Sequence, residues 1–187
     1  MGIPALNRRA IFLDRDGVLN RALVRQGLPY PPHRVEDVEI LPGVPEALAA
    51  LRRAGFLLLV VTNQPDVPRG TLSEAALNAI HAHLQSRLGL DGIYTCLHDD
   101  ADQCTCRKPL PGLLLTAAQE WSVDLSASFM VGDRWRDIEA GRQAGCTTVL
   151  VDYGYQEKLC SEPAKRVASL QDAAGWILDG AQNRSNK

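Results

Sequence analysis

Ala10-Ile11-Phe12-Leu13-Asp14-Arg15-Asp16-Gly17 runs four apolar residues straight into two carboxylates that stand two positions apart. The apolar run reads as a strand buried on both faces, and the Asp-x-Asp-Gly that follows reads as its exit. Like charges two residues apart repel, and a bound hard cation such as Mg²⁺ relieves the repulsion, because it takes carboxylate oxygens. The same residues also suit a solvated turn, since Asp and Gly are common there. The rest of the chain has to decide between the two.

Outward from this segment, strand-like runs alternate with helix-period segments. Phe56 to Val61 is a second strand, Gly92 to Tyr94 a weaker one, and Phe129 to Val131 and Thr148 to Val151 complete the set. Val44, Ala47, Leu48 and Leu51 recur at helical spacing before Gly55. Thr71-x-x-Glu74 has the form of a capping box opening a helix with Leu77, Ile80, Leu84 and Leu88 on one face. Further helices are expected over Leu113 to Trp121, Arg136 to Ala144 and Leu170 to Leu178, the last at the sheet edge, with residues 181–187 frayed. This alternation predicts an α/β domain over residues 1–187: a doubly wound, mainly parallel sheet with helices on both faces. Only forty residues separate Asp16 from Phe56, enough for a Pro-rich flap (Gly27 to Pro42) and a helix but not for a separate cap domain.

In such sheets the chemistry collects at the carboxyl ends of the strands. The second strand ends in Thr62-Asn63-Gln64, and the strand from Phe129 ends in Gly132-Asp133 with Asp137 four residues on. Arg107-Lys108-Pro109 is the compact cationic pair between them. Acids to hold a metal, a hydroxyl and a fixed cation at one edge are what phosphoryl transfer requires.

Asp14-x-Asp16-Gly17, Thr62, Lys108 and Gly132-Asp133-x-x-x-Asp137, in this order, resemble the haloacid dehalogenase superfamily of phosphohydrolases over roughly residues 10–151. The resemblance implies that Asp14 attacks phosphorus to form an aspartyl-phosphate and that Asp16 serves as acid and then base. It implies Mg²⁺ on the Asp14 side chain, the Asp16 backbone carbonyl and Asp133, with Asp137 behind that shell. Thr62 and Lys108 would hold the phosphoryl oxygens, and Asn63, Gln64, Arg107 and Arg134 are the candidate substrate contacts.

Five cysteines in a chain expected to be cytoplasmic argue against disulfides. Cys96-x-His98 and Cys104-x-Cys106 put three thiols and an imidazole within eleven residues, a Cys₃His set suited to structural Zn²⁺. Cys146 and Cys160 stand apart as core or surface thiols. A zinc loop over 96–106 would brace the lysine two residues beyond it. This loop, joined to Cys-Arg-Lys-Pro, is similar to two branches of the superfamily, the bacterial D-glycero-D-manno-heptose 1,7-bisphosphate 7-phosphatases and the histidinol-phosphate phosphatases. Arg69-Gly70 and Leu41-Pro42-Gly43-Val44 favour the heptose branch. Pro65 and the five residues between His98 and Cys104 favour the other, and Arg134 stands where the heptose branch often has Lys. On balance the heptose branch is expected, and the substrate is a small phosphorylated sugar or, failing that, an amino alcohol phosphate.

Composition narrows the field further. Twenty Lys and Arg against 22 Asp and Glu leave a net charge of −2, with no basic excess for nucleic acid. That argues against a DNA-end phosphatase, and the complete set of acids, Thr and Lys argues against a non-catalytic zinc-braced binding domain. The longest unbroken apolar run, Phe56 to Val61, is far too short for a membrane span. Met1 to Leu6 carries no apolar signal core, so a cytoplasmic monomer is expected.

Overall fold

The computed structural model describes residues 8–185, so the reading of Met1 to Leu6 lies outside the described residues. Six strands form one parallel sheet: β1 (Arg9–Leu13), β4 (Phe56–Asn63), β5 (Gly92–Cys96), β6 (Phe129–Gly132), β7 (Thr147–Val151) and β8 (Lys165–Val167). Their order is β5-β4-β1-β6-β7-β8, so the chain winds outward from β1 in one direction and then in the other. The reversal beside β1 opens the crevice in which doubly wound sheets place their ligands.

Strand alternation divides the core into two layers. Ile11, Leu13, Leu58 and Val60 face α1 (Val44–Arg53), α2 (Glu74–Leu88) and α5 (Leu170–Ser185), meeting Leu48, Ile80 and Ile177. Ala10, Phe12, Leu57 and Leu59 face α3 (Gly112–Trp121) and α4 (Trp135–Ala144), meeting Leu114, Ala117 and Ala140. Apolar side chains thus cover both faces of β1 and β4, which is why these strands read as unbroken apolar runs.

Several local expectations change. Thr71 does not cap α2: its hydroxyl donates to Asp66 O at 3.2 Å, and Ser73 is the N-cap, accepting from Ala76 N at 3.1 Å. β8 gives no apolar signal because it is a charged strand at the sheet edge, where side chains stay wet. α5 lies beside α1 and against β7 and β8, and its backbone helix continues to Ser185 through the polar stretch expected to fray; residues 186–187 lie outside the described residues. The flap contains a hairpin, β2 (Leu23–Arg25) with β3 (Leu28–Tyr30), turned at Gln26 and Gly27. Both turn residues have positive φ (51° and 74°), as a two-residue hairpin of the type I′ kind demands. Among the described residues, the segment between β1 and α1 holds only this hairpin and one short 3₁₀ turn. Among the described residues no helix is long and apolar enough to cross a membrane.

Candidate active site

The ends of β1, β4 and β6 and the segment after the cysteine loop meet at one edge of the sheet. Lys108 is at the centre, almost fully buried, with its ammonium donating to Asp14 Oδ1 at 2.6 Å, Asp137 Oδ1 at 2.6 Å and Val61 O at 2.8 Å. Burial alone would lower its pKa, but Asp137 and Asp14 more than offset that and hold it above the ordinary lysine value. Burial pushes Asp14 up to about 7, with Lys108 pulling against it.

Asp137 sits in the first turn of α4 and uses both oxygens, one on Lys108 and the other accepting from Arg134 N at 3.0 Å. A carboxylate at a helix N-terminus satisfies orphan amides and meets the positive end of the helix dipole. Gly132 is required beside it, because a Cβ there would land on Asp137 Cβ.

Asp133 is different. It is buried, and neither of its carboxylate oxygens has a hydrogen-bond partner. Burial first, then Asp14 and Asp137, hold its pKa well above the carboxylate range. Gly17, at φ 87°, comes so close that a Cβ would fall on Asp133 Oδ2. The side chains of Asp14, Asp133 and Asp137 offer oxygens within 4.8 Å of one another. Orphaned buried oxygens among like charges are a fit for a divalent cation taken up by oxygen ligands. The third carboxylate of this group is Asp137, and the Asp16 carboxylate is not part of it.

Three side chains hold the Asp16 carboxylate. Asn20 Nδ2 donates at 2.9 Å, Gln64 Nε2 at 3.0 Å, and Arg15 presents Nε at 3.1 Å and forms an ion pair through Nη2 at 2.9 Å. Thr62 joins this network indirectly, its hydroxyl accepting from Gln64 Nε2 at 2.9 Å. Gln64 is therefore not a substrate contact: it is fully buried behind the site and braces Asp16 and Thr62. Asn63, on the other side of the strand, clamps the Lys108 backbone, donating to its carbonyl at 2.9 Å and accepting from its amide at 3.1 Å.

The cysteine loop begins at the last residue of β5, whose carbonyl accepts from Gln64 N at 2.8 Å. Cys96, His98, Cys104 and Cys106 converge, with Sγ–Sγ separations of 3.2, 3.5 and 3.8 Å and sulfur to His98 Nδ1 distances of 3.3 and 3.6 Å. Tetrahedral ligands bound at about 2.0–2.3 Å stand about 3.3–3.8 Å apart, so the set has the size of a zinc site. Burial holds the Cys96 thiol up at about 12, where a cation on the sulfur would draw it to thiolate. Arg107 N donates to Cys104 Sγ at 3.4 Å, which couples the loop to the segment carrying Lys108. Cys146 is buried and Cys160 exposed, neither belongs to the four-ligand set, and all five cysteines are free.

Asp14, Asp16, Thr62 and Lys108 line an open cleft of about 270 Å³. Pro29 and Tyr30 of the flap form one wall, and arginines form the rim. Each rim arginine already has an acid: Arg107 Nε meets Asp100 at 2.8 Å, Arg136 Nη1 the same carboxylate at 3.2 Å, and Arg69 Nε meets Asp99 at 2.6 Å. Arg134 is forked onto Glu157, so it lines the cleft as a paired charge. His33 of the flap contacts Asp66 at 3.2 Å. Asn20 and the rim residue Arg136 had no signal in the sequence beyond their nearness to Asp16 and Asp133.

A family model described as haloacid dehalogenase-like hydrolase matches residues 31–145. The chain belongs to that family. The D-glycero-beta-D-manno-heptose-1,7-bisphosphate 7-phosphatase of Photorhabdus laumondii is 38% identical over 182 residues, covering 90% of this chain and 89% of the relative. The D-glycero-D-manno-heptose-1,7-bisphosphate 7-phosphatase of Thermosynechococcus vestitus is 36% identical over 193 residues, covering 91% and 95%. Among solved structures, the D,D-heptose 1,7-bisphosphate phosphatase of B. bronchiseptica, complexed with magnesium and phosphate, superposes with a TM-score of 0.80 at 33% identity over 92% of this chain and 99% of that one. The fold and hydrolase chemistry expected from the strand-end motifs are those of this family.

Proposed function

We propose that the chain is a Mg²⁺-dependent phosphatase that removes the 7-phosphate of D-glycero-D-manno-heptose 1,7-bisphosphate through an aspartyl-phosphate on Asp14. The observation that carries the reading is Lys108 bridging Asp14 and Asp137 at 2.6 Å each on the cleft floor, beside the two orphaned oxygens of Asp133. The similarity to heptose bisphosphatases over nine-tenths of the chain supports the substrate, and outweighs the short His98–Cys104 spacing that pointed to histidinol phosphate. Asp14, Asp133 and the Asp16 carbonyl would hold Mg²⁺, which when bound neutralises charge on the phosphoryl oxygens.

The chain's own residues carry the remaining steps. Asp14 forms a bond to phosphorus as the bond to the sugar oxygen breaks, and Asp16 gives that oxygen its proton. Asp16 then takes a proton from water, whose oxygen displaces Asp14 and releases phosphate. Thr62 and Lys108 orient the phosphoryl group, and Asn63 keeps the lysine in place. Arg107, Arg69 and Arg136 on the rim suit the substrate's second phosphate. Zn²⁺ on Cys96, His98, Cys104 and Cys106 would brace the lysine segment. A cytoplasmic setting, which keeps thiols reduced, suits four such ligands.

The test is Mg²⁺-dependent phosphate release from both anomers of the heptose bisphosphate, from histidinol phosphate and from a 3′-phosphorylated oligonucleotide. The heptose compounds should show the highest kcat/KM, and Asp14→Asn should lower it by about a thousandfold or more. A preference for histidinol phosphate or the oligonucleotide would refute the substrate, and an unimpaired Asp14→Asn enzyme would refute the mechanism.

A further inference from the structure

Arg15 lies between the two catalytic aspartates in sequence, yet its side chain is completely buried. Its guanidinium faces Asp16 through Nε and Nη2, while Nη1 lies 3.1 Å from Nε2 of His81, in the middle of α2. Arginine can only donate, so this His81 nitrogen must be the acceptor and the ring must be neutral, with its proton on Nδ1. Burial, followed by the charge of Arg15, holds the His81 pKa down to about 4, so the neutral ring persists through the physiological range. α2 is itself fixed to the core through Leu77, Ile80 and Leu84.

We infer that His81 is a positioning residue for the reaction, holding Arg15 so that its Nε stays on the Asp16 carboxylate. The inference rests on the reading of Asp16 as acid and base. An arginine side chain has many rotamers, and one contact to a carboxylate leaves much of that freedom. A second contact on the far nitrogen fixes the plane of the fork, and with it the direction in which Asp16 presents its oxygens. Asn20 and Gln64 hold the same carboxylate from two other elements. His81 is the member of this network contributed by the helical layer, and it has no contact with the cleft, whose lining does not include it.

A misdirected Asp16 harms a reaction in proportion to the leaving group's need for a proton. A sugar alkoxide needs one, whereas p-nitrophenolate leaves without it. The experiment therefore compares kcat/KM for the heptose bisphosphate with that for p-nitrophenyl phosphate, in the wild type, His81→Leu and His81→Gln, all loaded with Mg²⁺. Gln places an amide oxygen near the position of Nε2 and can accept from Arg15, whereas Leu cannot. His81→Leu should lose about tenfold on the sugar phosphate and less than about twofold on the aryl phosphate, with Gln restoring most of the loss. Equal losses on both substrates would reduce His81 to a packing residue, and no loss on either would remove it from the reaction. A wild type inert on the heptose compound would instead count against the proposed substrate. The same comparison would then be run with whichever alkyl phosphate the enzyme hydrolyses.

Discussion

Two polar clusters share one edge of the sheet, and they are built in opposite ways. Asp14, Lys108, Asp133 and Asp137 come from two strand exits, the first turn of a helix and a loop, up to 123 residues apart in sequence (137 − 14 = 123), and all four are buried. Cys96, His98, Cys104 and Cys106 come from one stretch of eleven residues, and only Cys96 is buried. The first exists only because the sheet brings its members together, so it draws on the stability of the whole fold. The second can be assembled by a metal ion alone, whatever the rest of the chain does. Lys108 belongs to the first and is tethered to the second through Arg107.

The largest effect should come from breaking the long-range cluster at its cation. Lys108→Met leaves Asp14, Asp133 and Asp137 buried with no positive charge among them. Removing one partner of a buried ion pair typically costs about 3–5 kcal/mol, which for a chain of this length is a fall of roughly 10 °C in Tm. A divalent cation among the carboxylates would recover part of that, so the variant should gain more Tm from Mg²⁺ than the wild type does. Melting curves of both proteins with EDTA and with Mg²⁺ settle the matter. Equal responses to Mg²⁺ would mean that the carboxylates do not share a cation site.

The local cluster should fail more gently. The zinc proposed for this cluster predicts one ion per chain by elemental analysis in the wild type and less in Cys104→Ser, with kcat/KM lower by roughly tenfold, in line with losses at groups that support rather than perform chemistry. The far-ultraviolet circular dichroism should stay close to that of the wild type, because Cys104 lies in no strand or helix and is only partly buried where it packs against the apolar layer of α3 and α4. Full activity in a verified zinc-free protein would show that the Lys108 segment is held by Asn63 alone.

The same contrast explains what the sequence made legible. Strand exits could be read because an apolar run ending in a charged residue is a local signal, and the zinc set could be read because its four ligands are neighbours. Gln64, next to Thr62 and Asn63 in sequence, reads as a substrate contact, but the structure buries it completely with its amide on Asp16 and Thr62, a placement that depends on Asp16 from the exit of another strand. The capping-box spacing points to Thr71, but its amide and hydroxyl both bond to Asp66 O, and Ser73 caps α2 instead. Asn20 and His81 carried no signal of a role at Asp16. Each matters only through Asp16, one directly and one through Arg15, and neither partner is apparent until β1, β4 and α2 are packed.

The smallest effect expected is on stability, and it probes the junction between the site and the helical layer. His81 has a pKa near 4 in the folded protein, held down by burial and by Arg15, against an ordinary value of 6.5. The unfolded chain therefore binds more protons than the folded one between those two values. Its contribution to stability is fully present above about pH 6.5 and is lost as the pH falls toward 4. Across a full unit of that window the loss is at most about 1.4 kcal/mol, and partial exposure of the ring trims it. Denaturant unfolding of wild type and His81→Leu at pH 7.5 and pH 5 separates this term from every other titrating group, since the rest are common to both proteins. The wild type should lose more stability than the variant on acidification, by on the order of 1 kcal/mol. Parallel losses would mean that the ring already takes up its proton in the folded state, and then a cation would be facing Arg15 across 3.1 Å with no acceptor between them.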